Sequence, residues 1–468
     1  MYSLRAAADL HREARRPSPL TVEMLMTIAS EVTNVEAGAT RQITDKEATK
    51  VAIGALIGTA MEWYDFFLFS AAAALVFNVQ YFYSENATAS ALAAFATFGV
   101  GLVARPIGGM FFGAMGDRIG RRKTLMITIA GIGVITGMIG LLPTYAAIGV
   151  AAPILLVLLR VMQGLFVGGE WSGAMTLVVE NAPLHRRARY AAIPQIGSPI
   201  GTILSSGGFF LMTFFFSQEN FTSFGWRIPF LAAFPMLLLA LYIRSRLEES
   251  PVFTELVEKG ETEKAPIRTT LVHHWKQIIV GMAAGMLGVG GFYLVTAFVV
   301  WFGVNTLGYS ARLMLLGGMI AAVVEMPVLI IGGRLGERFG ASRVIFVGGI
   351  VSAIVAFPAF LLIVSGNPVL VVIGMTLAVA TLSFPYAASG TVLTGLFPAR
   401  TRYTGVGFAQ NTAGMISGFV PLLATALVAS AGNQWWPAAA MLVFLSLFTA
   451  FAGHIAPRLS VDLPGFKH

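Results

Sequence analysis

Six ionisable side chains stand inside long apolar runs of this sequence: Glu62, Asp65, Arg105, Arg160, Glu170 and Glu325. A charge at the centre of a bilayer costs roughly 2.5–3.5 kcal/mol on insertion scales, and such residues mark ion and solute pathways. Glu62 and Asp65 are three apart, so they share one helix face. Arg160, Gln163 and Glu170 fall within roughly an 80° arc at 3.6 residues per turn. Lipid would penalise so polar a stripe, which must therefore face protein or a water-filled cavity. These four acids stand against two arginines. If all were ionised, two negative charges would lack a partner, so at least one acid holds a proton part of the time and can carry it. An arginine fork can receive a carboxylate. The set supplies buried acids able to carry a proton, Asp65 and Glu62 as a pair with Glu170 the next choice, beside arginines able to receive a carboxylate; Arg160, with Gln163 beside it, suits an anion-binding or proton-relay role. Arg160 lies about 11 Å in from the outer surface by helix rise. Arg105 either shares its role or, within Arg105-Pro106-Ile107-Gly108-Gly109, shapes a kinked, tightly packed helix. For the acids the alternative is a structural ion pair. Five of the six charges lie in the N-terminal half, so the C-terminal half is expected to complete the cavity. Its uncharged candidates are Tyr293, Thr296, Tyr386, Gln410 and Asn411, for which interhelical packing is the other reading.

These residues need a membrane scaffold. Of 468 residues, 56% are hydrophobic and 12% charged, with mean hydropathy +0.77. A soluble domain carries roughly 25% charged residues. Apolar runs long enough to cross a bilayer, about 20 residues each, are expected near 51–77, 89–116, 124–142, 153–179, 190–214, 227–246, 277–303, 311–333, 343–364, 368–396, 404–430 and 435–456. The expected architecture is an all-α membrane protein of twelve transmembrane helices in two six-helix bundles, 51–247 and 277–457. A tail over 1–50, a charged central loop over 248–276 and a short tail over 458–468 complete it. Of 31 Lys and Arg, two (Arg227 and Arg312) fall at the outer edge and two (Arg105 and Arg160) within spans, leaving 31 − 4 = 27 on one side. The positive-inside rule puts both termini in the cytoplasm of a multi-pass cell (inner) membrane protein. The basic residues are dispersed over short loops, which argues against a nucleic-acid partner. The absence of cysteine excludes disulfides and thiolate metal sites.

The loops repeat. Gly113-Ala-Met-Gly116-Asp117-Arg118-Ile-Gly120-Arg121 returns 220 residues later as Gly333-Arg-Leu-Gly336-Glu337-Arg338-Phe-Gly340. Glu180-Asn-Ala-Pro183-Leu-His-Arg186 returns 215 residues later as Gly395-Leu-Phe-Pro398-Ala-Arg-Thr. Duplication at half the chain length is the mark of a repeated helical bundle. Asp117, Arg118, Arg121, Glu180, Arg186, Glu337 and Arg338 are the expected cytoplasmic gate: carboxylates near helix N-termini and arginines at neighbouring helix ends hold the halves together and must part when the bundles rock. The alternative is charges that only set topology. Gly395 in place of an acid weakens the second copy.

The Gly-x-x-x-(Asp/Glu)-Arg-x-Gly loops resemble the signature of the major facilitator superfamily. Glu62-Trp-Tyr-Asp65-Phe66, Arg105-Pro-Ile-Gly108-Gly109, Arg160-x-x-Gln163-Gly164, Gly168-Gly-Glu170-Trp171, Gly225-Trp-Arg-Ile-Pro229-Phe230 and Glu249-Ser-Pro251-x-Phe253 resemble its metabolite:proton symporter family. The segments Ala93–Gly101 and Val167–Trp171 are most like the shikimate transporter group. The resemblance implies import of an organic acid or zwitterion with a proton, by alternating access, without a cofactor. The expected partners are a small-molecule substrate, a proton and the lipid bilayer, and the expected state is a monomer. A proton-coupled exporter of the same fold is the first rival. A membrane sensor would need an output domain larger than the tail or loop provides, and an enzyme would need a nucleophile–base pair or metal cluster. His273-His274 does not supply one, because adjacent helical residues point about 100° apart. Gly197-Ser-Pro199-Ile-Gly201 echoes an antiporter motif but lacks its flanking glycines.

Overall fold

The structure is a computed structural model and describes residues 44–82 and 87–461. The greater part of the expected N-terminal tail therefore lies outside the described residues, as do 462–468. The first helix, Asp45–Ala72, opens on a capping box: Glu47 N–H donates to Thr44 Oγ1 (3.3 Å), and Thr44 N–H to Glu47 Oε2 (3.0 Å). It begins six residues before position 51, because the polar capping turn precedes the rise in hydropathy. A π-helical turn, Ala73–Phe77, prolongs it.

The following spans are Ala87–Ile119, Arg121–Leu141, Ala151–Glu180, the pair Arg187–Gln195 and Gly197–Phe215, and Phe221–Ser245. The second six are Trp275–Asn305, Ala311–Phe339, Ala341–Ile363, Pro368–Leu396, Arg402–Ser430 and Trp436–Leu459. Among the described residues, ten helices are long and apolar enough to cross a bilayer; the second span and the paired fifth complete twelve. The central loop contains two short helices, Pro251–Glu258 and Pro266–His273, each opened by a proline at its start. Proline suits that position because its missing N–H has no partner there.

Each half packs as a bundle. The second and third spans lie on the fourth, and the first on the fifth; the eighth and ninth lie on the tenth, and the twelfth on the ninth. The halves meet along the second and eleventh spans, and along the fifth and eighth. At the end bearing the repeated loops they close to backbone contact. A Cβ on Gly113 would lie 2.6 Å from Thr404 Cα, and one on Gly116 would lie 2.0 Å from the Tyr403 ring. The second copy does the same. A Cβ on Gly333 would lie 2.5 Å from Ala192 Cβ, and one on Gly336 would lie 2.8 Å from Ala188 Cβ. The glycines of the repeat are therefore where the two bundles touch.

Candidate functional site

Near the middle of the first span, Met61-Glu62-Trp63-Tyr64-Asp65-Phe66 turns both acids inward, one helical turn apart. Each meets an arginine from a neighbouring span. Arg105 Nη1 of the second span donates to Glu62 Oε1 at 3.2 Å. Arg160 Nη1 of the fourth lies 3.6 Å from Asp65 Oδ2. The second pair is embedded in a polar chain. Thr136 Oγ1 donates to Asp65 Oδ1 (2.7 Å), Gln163 Nε2 donates to the same oxygen, and Arg160 Nη1 donates to Gln163 Oε1 (2.6 Å). Phe69 closes the other face of Arg160, with the guanidinium carbon 4.2 Å from the ring centre. Glu62 is less satisfied: its Oε2 is buried without a hydrogen-bond partner.

The C-terminal half roofs these pairs with aromatic rings. Tyr293 stacks on Phe66 with ring centres 5.2 Å apart and planes at 4°, and Arg105 stands 5.7 Å over the same Phe66 ring. Trp63 meets Phe292 edge-on at 5.7 Å. Two acid–arginine pairs thus lie side by side at the junction of the bundles, under rings from both.

Glu170 stands apart from this arrangement. Arg244 grips it with both Nη atoms, Thr128 Oγ1 donates to Glu170 Oε2 (3.0 Å), and Arg244 Nη1 also donates to Leu125 O (3.0 Å). A Cβ on Gly58 would lie 2.2 Å from Glu170 Oε1, so glycine there makes room for the pair. The count of four acids against two arginines changes accordingly. Arg244, at the loop end of the expected sixth span and not counted among the intramembrane charges, is buried in the last turn of that span and serves as a third cation. Glu325, 1% exposed, has no partner for Oε2 and stands within electrostatic reach of Tyr386.

The remaining cavity candidates divide. Tyr386 is buried against Gly288. Gln410 packs on Gly285, with Oε1 buried and unpartnered. Asn411 is committed to the seam, because Nδ2 donates to Gly168 O (2.7 Å) and Gly407 O (2.6 Å), tying the eleventh span to the fourth. Thr296 Oγ1 donates back to Phe292 O (2.8 Å), within its own helix.

At the loop end a second network crosses the seam. Asp117 caps the eleventh span of the opposite half: Tyr403 N–H (3.3 Å), Thr404 N–H (3.0 Å) and Thr404 Oγ1 (2.7 Å) all donate to its carboxylate. Arg121 donates to Glu180 Oε2 (3.1 Å) and to Ala399 O (2.7 Å), and Arg402 donates to Glu180 Oε1 (2.8 Å). The central loop joins in, since Ser250 Oγ donates to Glu180, and Arg121 N–H (3.0 Å) and Arg122 N–H (3.1 Å) donate to Glu249 Oε1. The second copy is looser. Glu337 lies 3.7 Å from Arg186, which also binds Asp45. Arg118 turns out to Lys264 O, and Arg338 lies 5.1 Å over the Phe339 ring, so neither enters the crossing network.

The Major Facilitator Superfamily model matches residues 55–377. The chain belongs to the major facilitator superfamily. Its relatives are transport proteins of matching length. The inner membrane metabolite transport protein YhjE of Escherichia coli (strain K12) is 37% identical over 376 residues, covering 79% of this chain and 86% of that protein. The shikimate transporter of Escherichia coli (strain K12) is 35% identical, covering 86% and 93%. The glycine betaine/proline/ectoine/pipecolic acid transporter OusA of Dickeya dadantii (strain 3937) is 34% identical, covering 86% and 82%. The same fold is seen in the proton:xylose symporter XylE bound to 6-bromo-6-deoxy-D-glucose, at TM-score 0.67 and 18% identity, covering 88% of this chain and 95% of that one.

This membrane transporter buries polar residues on inner helix faces, and three of them give little sign of themselves in sequence. Thr136 is one of three threonines in an apolar span, and nothing in the sequence separates it from Thr124 and Thr128. Arg244 sits where a helix end and a loop look alike, and the acid that Arg402 pairs with, Glu180, is 222 positions away.

Proposed function

We propose that this transporter imports a small carboxylate-bearing metabolite together with a proton, by alternating access about the paired charges between its halves. The observation that carries this reading is the adjacency of the Glu62–Arg105 and Asp65–Arg160 pairs beneath Tyr293. A solute carboxylate that takes the Arg160 fork competes with Asp65 for it. Asp65, left without its cation in a low-dielectric setting, is neutralised by taking up a proton. Anion and proton therefore load together, and an empty carrier keeps its own ion pairs. Glu62 and Arg105 repeat the device one turn away, and Gln163 and Tyr293 orient the solute. Glu170 is a structural partner of Arg244 in this account.

The six-helix units 51–247 and 277–457, joined by 248–276, act as the rocking bodies, with both termini in the cytoplasm. The seam of Asp117, Arg121, Glu180 and Arg402 then holds the cytoplasmic side shut and must open to release the solute. The names of the relatives, for shikimate and for proline and betaine, support a carboxylate as the common feature of the cargo. The test is uptake of labelled shikimate, protocatechuate, citrate, 2-oxoglutarate and betaine into proteoliposomes under an imposed pH gradient. At least one carboxylate should accumulate above its external level and leak away when a protonophore collapses the gradient. Accumulation of a carboxylate that ignores the protonophore would overturn the coupling.

A further inference from the structure

The two halves differ at one place where the repeat predicts likeness. In the first half the space between the loop, the third span and the fourth is filled by the Arg121 side chain and Glu180. The duplicated positions are Ala341 (341 − 121 = 220) and Gly395 (395 − 180 = 215), so both members of the ion pair are lost together. A cleft of about 460 Å³, lined by Ala341, opens at the same end of the molecule, between the ends of the fifth, eighth, ninth and twelfth spans; Gly395 stands beside the end of the twelfth span, its carbonyl accepting from Ser460 Oγ (2.9 Å) and Val461 N–H (3.2 Å).

Its lining is cationic and rich in donors. Arg187, Arg343, His185 and His454 border it, and Glu337 at its edge is drawn toward Arg186. Two hydroxyls lie within: Ser342 at 6% and Thr391 at 3% exposure, each with its oxygen buried and without a hydrogen-bond partner. A buried hydroxyl left unpaired is costly, and here two face one cavity. The ninth span also starts at this cleft, with no side chain capping its N-terminus. In the first half the corresponding N–H groups of the third span bind the Glu249 carboxylate. Both halves thus present a helix N-terminus suited to an anion, and the first half supplies its own.

The rim decides what kind of anion. Phe339 (49% exposed) and Phe346 (40% exposed) line the same cleft, facing outward beside the cations. Apolar groups next to a basic pocket between helix ends fit a headgroup whose tails lie along the protein. We propose that this cleft binds the phosphate group of an anionic phospholipid of the cytoplasmic leaflet, with Arg187 and Arg343 pairing to the phosphate and Ser342 and Thr391 donating hydrogen bonds. Only the leaflet assignment rests on the orientation proposed above. Binding itself is read without transport, so the two ideas fail separately. A lipid seated there bridges the fifth span of one half to the eighth, ninth and twelfth of the other, and so favours the closed seam.

The test is native mass spectrometry of the full chain from nanodiscs of phosphatidylcholine containing a minor fraction of phosphatidylglycerol. One phosphatidylglycerol per chain should survive activation that strips phosphatidylcholine. Arg343→Gln should weaken its retention about tenfold, the scale of one lost charge-assisted contact. Ala341→Arg with Gly395→Glu should abolish it by rebuilding the ion pair of the first half; unchanged thermal stability in that variant shows that the fold is intact. Equal retention of the two lipids, or of phosphatidylglycerol in wild type and both variants, would overturn the proposal. So would displacement of the lipid by millimolar inorganic phosphate, which would make this a soluble-anion site. Retention that appears only after deletion of 462–468 would identify the chain's own tail as the occupant, and the proposal would also fall.

Discussion

Replacing Asp117 by asparagine removes one charge from the seam and almost no volume. The carboxylate is fully buried and accepts from two backbone N–H groups and one hydroxyl of the opposite half, at 2.7–3.3 Å, with Arg121 at 3.4 Å. Hydrogen bonds to a charged group contribute about 1.5–3 kcal/mol each, and neutral ones about half that. Asparagine retains one acceptor oxygen but turns an NH₂ toward groups that are themselves donors. A net loss of about 2 kcal/mol from the closed seam follows, or about thirtyfold in the closed-to-open ratio. The natural absence of cysteine makes the ratio measurable. A single cysteine at Ser172, buried where the fourth span meets Gly407 of the eleventh, should react with an impermeant maleimide about thirtyfold faster from the loop face in Asp117→Asn than in the parent. Transport should slow, because the carrier dwells in one state, while the solute dissociation constant stays within a few-fold. Unchanged labelling together with a large loss of binding would place Asp117 in the binding site and refute the latch.

Arg160→Lys should transport poorly even at saturating solute, because a point charge cannot replace a planar fork that bridges Gln163, Asp65 and a ligand; uptake at the parental rate and affinity would reduce Arg160 to charge balance. Glu62→Gln should be milder, shifting the pH optimum with coupling preserved, as read from initial rates across pH. Arg244→Met leaves Glu170 buried beside only Thr128 and should cost about 3–5 kcal/mol, seen as a fall in the thermal midpoint in detergent. Adding Glu170→Met should recover most of it, and failure of the double variant to recover would show that the pair is more than structural.

The hydropathy of the chain carries the twelve spans plainly, because crossing a bilayer demands length and apolarity at once. The repeated glycines announce the closed seam, since only a residue without a side chain permits the approach of Gly116 to Tyr403. Helix starts are less legible. The polar turn at Thr44 and the Ser250 cap of the loop helix lower hydropathy where structure begins. Pairings are the least legible of all. Arg160 and Glu170 lie on one helix stripe, yet Asp65 comes to the first and Arg244 to the second, because helix packing rather than helix periodicity chooses the partner. The cleft at Ala341 could be seen in sequence only by aligning the halves and asking what Gly395 and Ala341 lose together.

The direct test of coupling compares two modes of transport in one variant, Asp65→Asn, reconstituted beside the parent. Counterflow exchanges labelled for unlabelled solute and needs no net proton movement, whereas uphill accumulation under a pH gradient does. If Asp65 takes the proton when the solute takes Arg160, the asparagine variant should retain a substantial part of counterflow and lose gradient-driven accumulation entirely. Accumulation that persists in Asp65→Asn at the parental proton stoichiometry would contradict the account and place the carrier on another group.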